Sequence, residues 1–148
     1  MAMAEYDENI GMLVAHICKA QRDLAESELN KLGLHTGQER VLLCLMGEET
    51  VGQSDLATHL CVEPPTVTKM LQRMEKAGLV ERRQDDQDAR VSRVNATAQG
   101  RALQQPILQV WDDLETRMLA SLTVTEQMLL RRLLIQILAN LTGDQAEA

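Results

Sequence analysis

Phenylalanine is absent from this 148-residue chain, and its aromatic side chains come down to Tyr6 and Trp111. Modules that read nucleic acid by stacking bases need aromatic platforms, so RNA-recognition sheets and oligonucleotide-binding barrels are excluded. In place of aromatics stand 23 Leu, 15 Ala and 8 Met. These are good helix formers, whereas strands favour aromatic and β-branched residues, so a mostly α protein with an aliphatic core is expected. Cysteine is sparse. Cys18, Cys44 and Cys61 are widely spaced and form no CxxC pair, so no zinc quartet can be built from them. His16, His35 and His59 lack metal-ligand spacing, and neither a metal nor a cofactor is expected. No run of 18 apolar residues occurs, and the acidic stretch 1–8 has no apolar signal-peptide core, so no membrane partner and a cytoplasmic location are expected. The motifs GxGxxG, GxxxxGK followed by Ser or Thr, HExxH and GxSxG are all missing, and the chain is not expected to be an enzyme.

What is present is an uneven charge. The formal net charge is −7, yet residues 64–101 hold eight Lys or Arg against five acids. The other 110 residues hold seven bases and 17 acids. A basic segment on an acidic body fits a nucleic-acid contact, and charge alone leaves chance unevenness equally open.

Apolar spacing at Ile10, Leu13, Val14, Ile17, Leu24 and Leu32 predicts a first helix over about residues 7–32, closed by Gly33. The run Val41 to Met46 predicts a largely buried second helix, and Ser54 to Leu60 a short third one. Pro64-Pro65 suits only a helix start, and Gly78 stops the helix that follows. Leu79 to Gln84 and Arg90 to Asn95 read as a hairpin around a polar tip, Asp85 to Ala89. Thr97 is placed to cap a long helix that Pro106 should kink, and Thr123-x-x-Glu126 is a capping box for the last helix. Residues 143–148 are expected to fray.

A short helix, a tight turn, a second helix and a hairpin make a winged helix-turn-helix, whose second helix enters a major groove. At 100° per residue, Val67, Met70, Leu71 and Met74 share one face of that helix, and Pro65, Lys69, Gln72 and Lys76 the other, flanked by Thr66, Thr68 and Arg73. Arg and Lys suit guanine, Gln suits adenine, and a Thr methyl suits thymine. The same residues also fit an ordinary solvated face. Arg82, Arg83, Arg90 and Arg93 gather on the hairpin beside several Asp, and an Arg oriented by Asp suits a narrow minor groove.

Gln53 to Ala57, Pro65 to Leu71, Met74 to Arg82, Asp85-x-x-Asp88-Ala89-Arg90 and Thr97-x-x-Gly100 together resemble the MarR family of bacterial winged helix-turn-helix regulators. The helix order outside these segments is similar to that family as well. The resemblance implies one chain, 1–148, with a winged DNA-binding part at 36–97 and a helical dimerisation part at 7–34 and 98–142. It implies a homodimer that binds a palindromic operator in double-stranded DNA, usually as a repressor released by a small, often phenolic, effector. The apolar surplus of the terminal helices independently points to a dimer, with intramolecular packing the alternative. Three departures stand out: Cys61 occupies a turn position that is usually Gly, Glu63 replaces a usual Ser, and Ala89 replaces a common wing Arg.

The candidate DNA contacts are Ser54, Pro65, Thr66, Thr68, Lys69, Gln72, Arg73, Arg83, Asp88 and Arg90. The resemblance puts an effector pocket near the first, second and fifth helices, with His16 and His35 as candidates; each also reads as an ordinary solvated histidine. Cys61, in a turn beside a helix N-terminus, is the redox candidate, whereas Cys18 and Cys44 read as inert core thiols. A thiol-based redox regulator of the same fold is the first alternative function. A helical protein-docking adaptor, whose binding would not fall steeply with salt, is the second.

Overall fold

The computed structural model describes residues 9–143. The start of the expected first helix, at residues 7 and 8, and nearly all of the expected frayed tail lie outside them. The elements are α1 (Ile10–Lys31), α2 (Gln38–Cys44), β1 (Val51–Gly52), α3 (Gln53–Leu60), α4 (Pro64–Lys76), β2 (Val80–Gln84), β3 (Ser92–Ala96), α5 (Ala98–Leu119) and α6 (Val124–Thr142). The chain divides into two compact units, residues 1–112 and 113–148, with the division inside α5. The fold is a mostly helical winged helix with a small antiparallel sheet. None of the described helices is long and apolar enough to cross a membrane.

In the first unit, each helix end has a local cause. The Asn9 side chain accepts the Gly11 N–H at 2.8 Å and opens α1. At its end the Leu34 N–H reaches back to the Leu29 carbonyl at 3.0 Å, and both side chains are fully buried. The N-terminal half of α1 buries nothing: Ile10, Leu13, Val14 and Ile17 are exposed. Cys18 lies on this half and is therefore exposed, which corrects its reading as a core thiol; Cys44 is half-buried.

The core of this unit is formed by Leu29, Leu34, Val41, Leu42, Leu45, Leu56, Val67, Leu71, Met74, Val80 and Val94. The sheet order is β1-β3-β2, with both neighbours antiparallel. Strand β1 was not foreseen, because two residues carry no periodicity. It pairs Val51 with Val94 and Gly52 with Arg93, joining the start of the helix-turn-helix to the wing.

The joint between α4, the wing and α5 is tight. The Thr97 hydroxyl donates to the Gly78 carbonyl at 2.6 Å and accepts the Gly100 N–H at 3.0 Å. A Cβ on Gly100 would run into the Leu79 carbonyl oxygen, so only glycine fits there. Helix α5 is unbroken across Pro106.

In the second unit the Thr123–Glu126 capping box forms: the Thr123 N–H donates to the Glu126 carboxylate at 2.7 Å, and the Glu126 N–H to the Thr123 hydroxyl at 3.3 Å. Helix α6 has no buried residue; Val124, Met128, Leu129, Leu134, Leu138 and Leu141 are among ten large apolar side chains that it exposes.

Candidate nucleic-acid interface

Helix α4 owes its position to two proline residues at its first turn and a buried stripe. Val67, Leu71 and Met74 are buried, and Met70 is half-buried. Pro65, Thr66, Lys69, Gln72, Arg73 and Lys76 are exposed on the other side. The polar and apolar faces expected from the sequence are therefore separated in space. Thr68 differs from its neighbours. Its hydroxyl accepts from Gln53 Nε2 at 2.9 Å and donates to the Pro64 carbonyl at 3.0 Å. A half-buried hydroxyl engaged twice is better placed to fix α4 on α3 than to meet a base.

Glu63 precedes α4 with extended backbone and makes no side-chain cap. Cys61 closes α3 with φ 53°, ψ 44°, a non-glycine residue in the left-handed region. The Val62 N–H still bonds to the Ala57 carbonyl at 3.1 Å, so the tight turn is made despite an intrinsic cost of roughly 1–2 kcal/mol. The Cys61 thiol is exposed and lines a shallow cleft with Ser54, Thr58, Glu63 and Pro64.

The four wing arginines part company. Arg82 pairs with Glu75 of α4 at 2.7 Å, so it braces the wing against the helix and does not project. Arg93 donates from Nε to Asp85 at 2.8 Å. All four arginines lie on the hairpin as expected, but of the four only Arg83 and Arg90 are strongly exposed. Arg90 is 90 % exposed, and its Nε and Nη2 both donate to the Asp88 carboxylate at 3.1 Å. Asp88 also accepts the Arg90 backbone N–H at 3.0 Å. The guanidinium is thus oriented by two parallel bonds.

Ser54, at the first turn of α3, and Arg90, at the wing tip, line one cleft of about 190 Å³ together with Gln53, Pro64 and Ser92. The structure thus brings Ser54 and Arg90 together from residues far apart in sequence. His16 lies exposed on α1. His35 lies exposed in the loop before α2, where its N–H donates to the Gln38 side chain at 3.0 Å.

The electrostatics follow these contacts. The hydrogen bond from Arg93 holds the Asp85 carboxyl below its ordinary value, helped by the N–H groups of Gln87 and Asp88. Arg90 does the same for Asp88. Burial pushes the Glu39 carboxyl up, against the bond it accepts from the Gly37 N–H at 2.7 Å. Among the described residues, no group of His, Cys, Asp and Glu side chains could hold a metal ion.

Sequence reasoning missed Gln53, Glu75 and Asp85, which hold the candidate contacts in place. Their partners lie 15, 7 and 8 residues away along the chain and in a different element each time, where the periodicity of a single helix or strand gives no signal.

The MarR family model matches residues 34–92. The chain is 30 % identical over 112 residues to the uncharacterized HTH-type transcriptional regulator YdgJ of Bacillus subtilis, across 76 % of this chain and 66 % of that one. It is 30 % identical over 116 residues to the HTH-type transcriptional repressor IacR of Pseudomonas putida, across 78 % of this chain and 70 % of that one. A cysteine-to-serine mutant of MarR from E. coli, solved in complex with operator DNA, superposes with a TM-score of 0.79 at 25 % identity, covering 93 % of this chain and 99 % of that one. These relatives are regulators of transcription rather than enzymes, and the chain belongs to the MarR family.

Proposed function

We propose that the protein is a homodimeric, sequence-specific DNA-binding repressor that reads a palindromic operator. One observation carries the reading. The exposed Thr66, Lys69, Gln72 and Arg73 of α4 lie opposite its buried stripe, and the same unit projects Arg90, held by Asp88, from the wing tip. In the proposal Pro65, Thr66, Lys69, Gln72 and Arg73 meet the major groove. Ser54 and Arg83 meet phosphates, and Arg90 enters the minor groove with Asp88 as its orienting partner. The operator DNA in the MarR complex and the repressor name of IacR support this reading.

The dimer is supported by the ten large apolar side chains exposed on α6 and by the exposed apolar start of α1. Half-sites are expected about one helical turn apart, roughly 10 base pairs. Release by a small aromatic acid, with His16 and His35 as candidate contacts, belongs to the same proposal. A thermal-shift panel of such acids tests it, and no shift with any of them removes the effector part.

The test of the whole is salt. With about eight phosphates contacted by the dimer, log K should fall against log salt with a slope near −7. A slope near zero favours protein docking instead. The exposure of Cys61 favours one second reading, in which oxidation of that thiol weakens DNA binding. If Cys61→Ser leaves peroxide sensitivity unchanged, that reading is eliminated.

A further inference from the structure

Asp85 has more partners than any other side chain of the wing. Its N–H donates to the Val91 carbonyl at 2.9 Å, closing the loop 85–91. Its Oδ1 accepts the N–H groups of Gln87 at 2.8 Å and Asp88 at 3.2 Å. Its Oδ2 accepts from Arg93 Nε at 2.8 Å. A single carboxylate thus ties the tip loop to the central strand of the sheet. It is the better covered partner, with its side chain 19 % exposed against 38 % for Arg93.

Arg93 stands directly across the ladder from Arg83. Residues opposite each other in an antiparallel pair point to the same side, and like charges there repel. Asp85 neutralises one of the two, which leaves Arg83 to carry free charge. A line of contacts then runs from Arg93 through Asp85 to Asp88, and from Asp88 to the guanidinium of Arg90.

We propose that Asp85 is the positioning residue of the wing: it holds the tip loop against β3 through Arg93 and so sets the direction in which Arg90 leaves the wing. Arg93 acts on DNA only through this tether. The proposal rests on the DNA-binding reading above. Its advantage is physical: a loop already ordered in the free protein loses less conformational freedom on binding.

The test uses the full-length protein with Asp85→Asn, Arg93→Gln and the double variant. Asn keeps an acceptor for the Gln87 and Asp88 N–H groups and loses the one for Arg93. Each variant is titrated at several salt concentrations on a duplex that the parent selects from a random pool, with A/T-rich and G/C-rich flanks. Each single change should weaken binding about tenfold on A/T-rich flanks, and the double change no more than either, since both break one tether. The salt slope of Arg93→Gln should stay that of the parent. A slope flattened by about one unit would put Arg93 on a phosphate and overturn the proposal. Tighter binding by Asp85→Asn, or losses that multiply in the double variant, would overturn it too.

A second readout needs no DNA. The Arg90 Nε–H resonance of the free protein should be sharp in the parent and broadened in Asp85→Asn. An Arg90 signal indifferent to Asp85→Asn rejects the tether, whatever the titrations show. A parent that selects no duplex strikes the DNA-binding reading itself.

Discussion

Helices α4 and α6 are both amphipathic in sequence, and they end up in opposite situations. Helix α4, 13 residues long, buries Val67, Leu71 and Met74 and turns its polar face outward. Helix α6, 19 residues long, buries nothing and holds ten large apolar side chains in contact with solvent. The winged unit completes its own core, from Val41 and Leu42 to Val80 and Val94. Large exposed apolar surface of this kind marks a site of protein–protein contact. The contrast teaches that the proposed DNA-reading surface is built within one chain, whereas the apolar face of α6 is left uncovered, and we propose that a second copy covers it.

The largest expected effect attacks that partner surface. The parent should scatter light as twice its 16.5 kDa chain mass. Leu134→Glu with Leu138→Glu should abolish that species. In a monomer the same exposed positions would tolerate the change to within about 0.5 kcal/mol, so an unaltered mass and stability would remove the dimer proposal.

Next come the groups proposed to read bases. Arg73→Ala should cost about 1–3 kcal/mol and relax preference at one position per half-site. Arg90→Ala should lose more on A/T-rich than on G/C-rich flanks, and Asp88→Ala should partly copy it. Lys76→Ala should weaken all duplexes alike. If Arg73→Ala and Arg90→Ala both bind within twofold of the parent, this surface does not read DNA.

A smaller effect concerns the helix-turn-helix turn. Cys61→Gly should raise stability by about 0.5–1 kcal/mol, because glycine relieves the left-handed strain while its unfolded chain is freer. Cys61→Ala should bring no such gain, and equal melting temperatures for both would refute the strain.

The smallest effect is a pH dependence. The folded-state value of Glu39 is raised above its ordinary 4.5 by burial. Its contribution to stability is therefore fully present below that pH and is lost as pH rises through the folded-state value. Glu39→Gln should thus gain on the parent as pH rises from about 4.5 towards neutrality. Denaturant melts at several pH values check the sign. Asp85 and Asp88, held low, work in the opposite sense in both proteins.

Local physical chemistry alone determined much of this protein. Proline at the start of α4, glycine after Lys31 and Lys76, the Thr123–Glu126 box and the apolar spacing of each helix act within one or two turns, so they can be read residue by residue. The two faces of α4 were legible for the same reason. Tertiary structure decided what depends on partners distant in sequence. It added β1 by pairing Val51 with Val94, it drew Thr68 inward through Gln53, and it divided the wing arginines between bracing and exposure through Glu75 and Asp85. It also exposed Cys18, because the spacing that predicts a buried face says nothing of whether a neighbour in the same chain arrives to cover it.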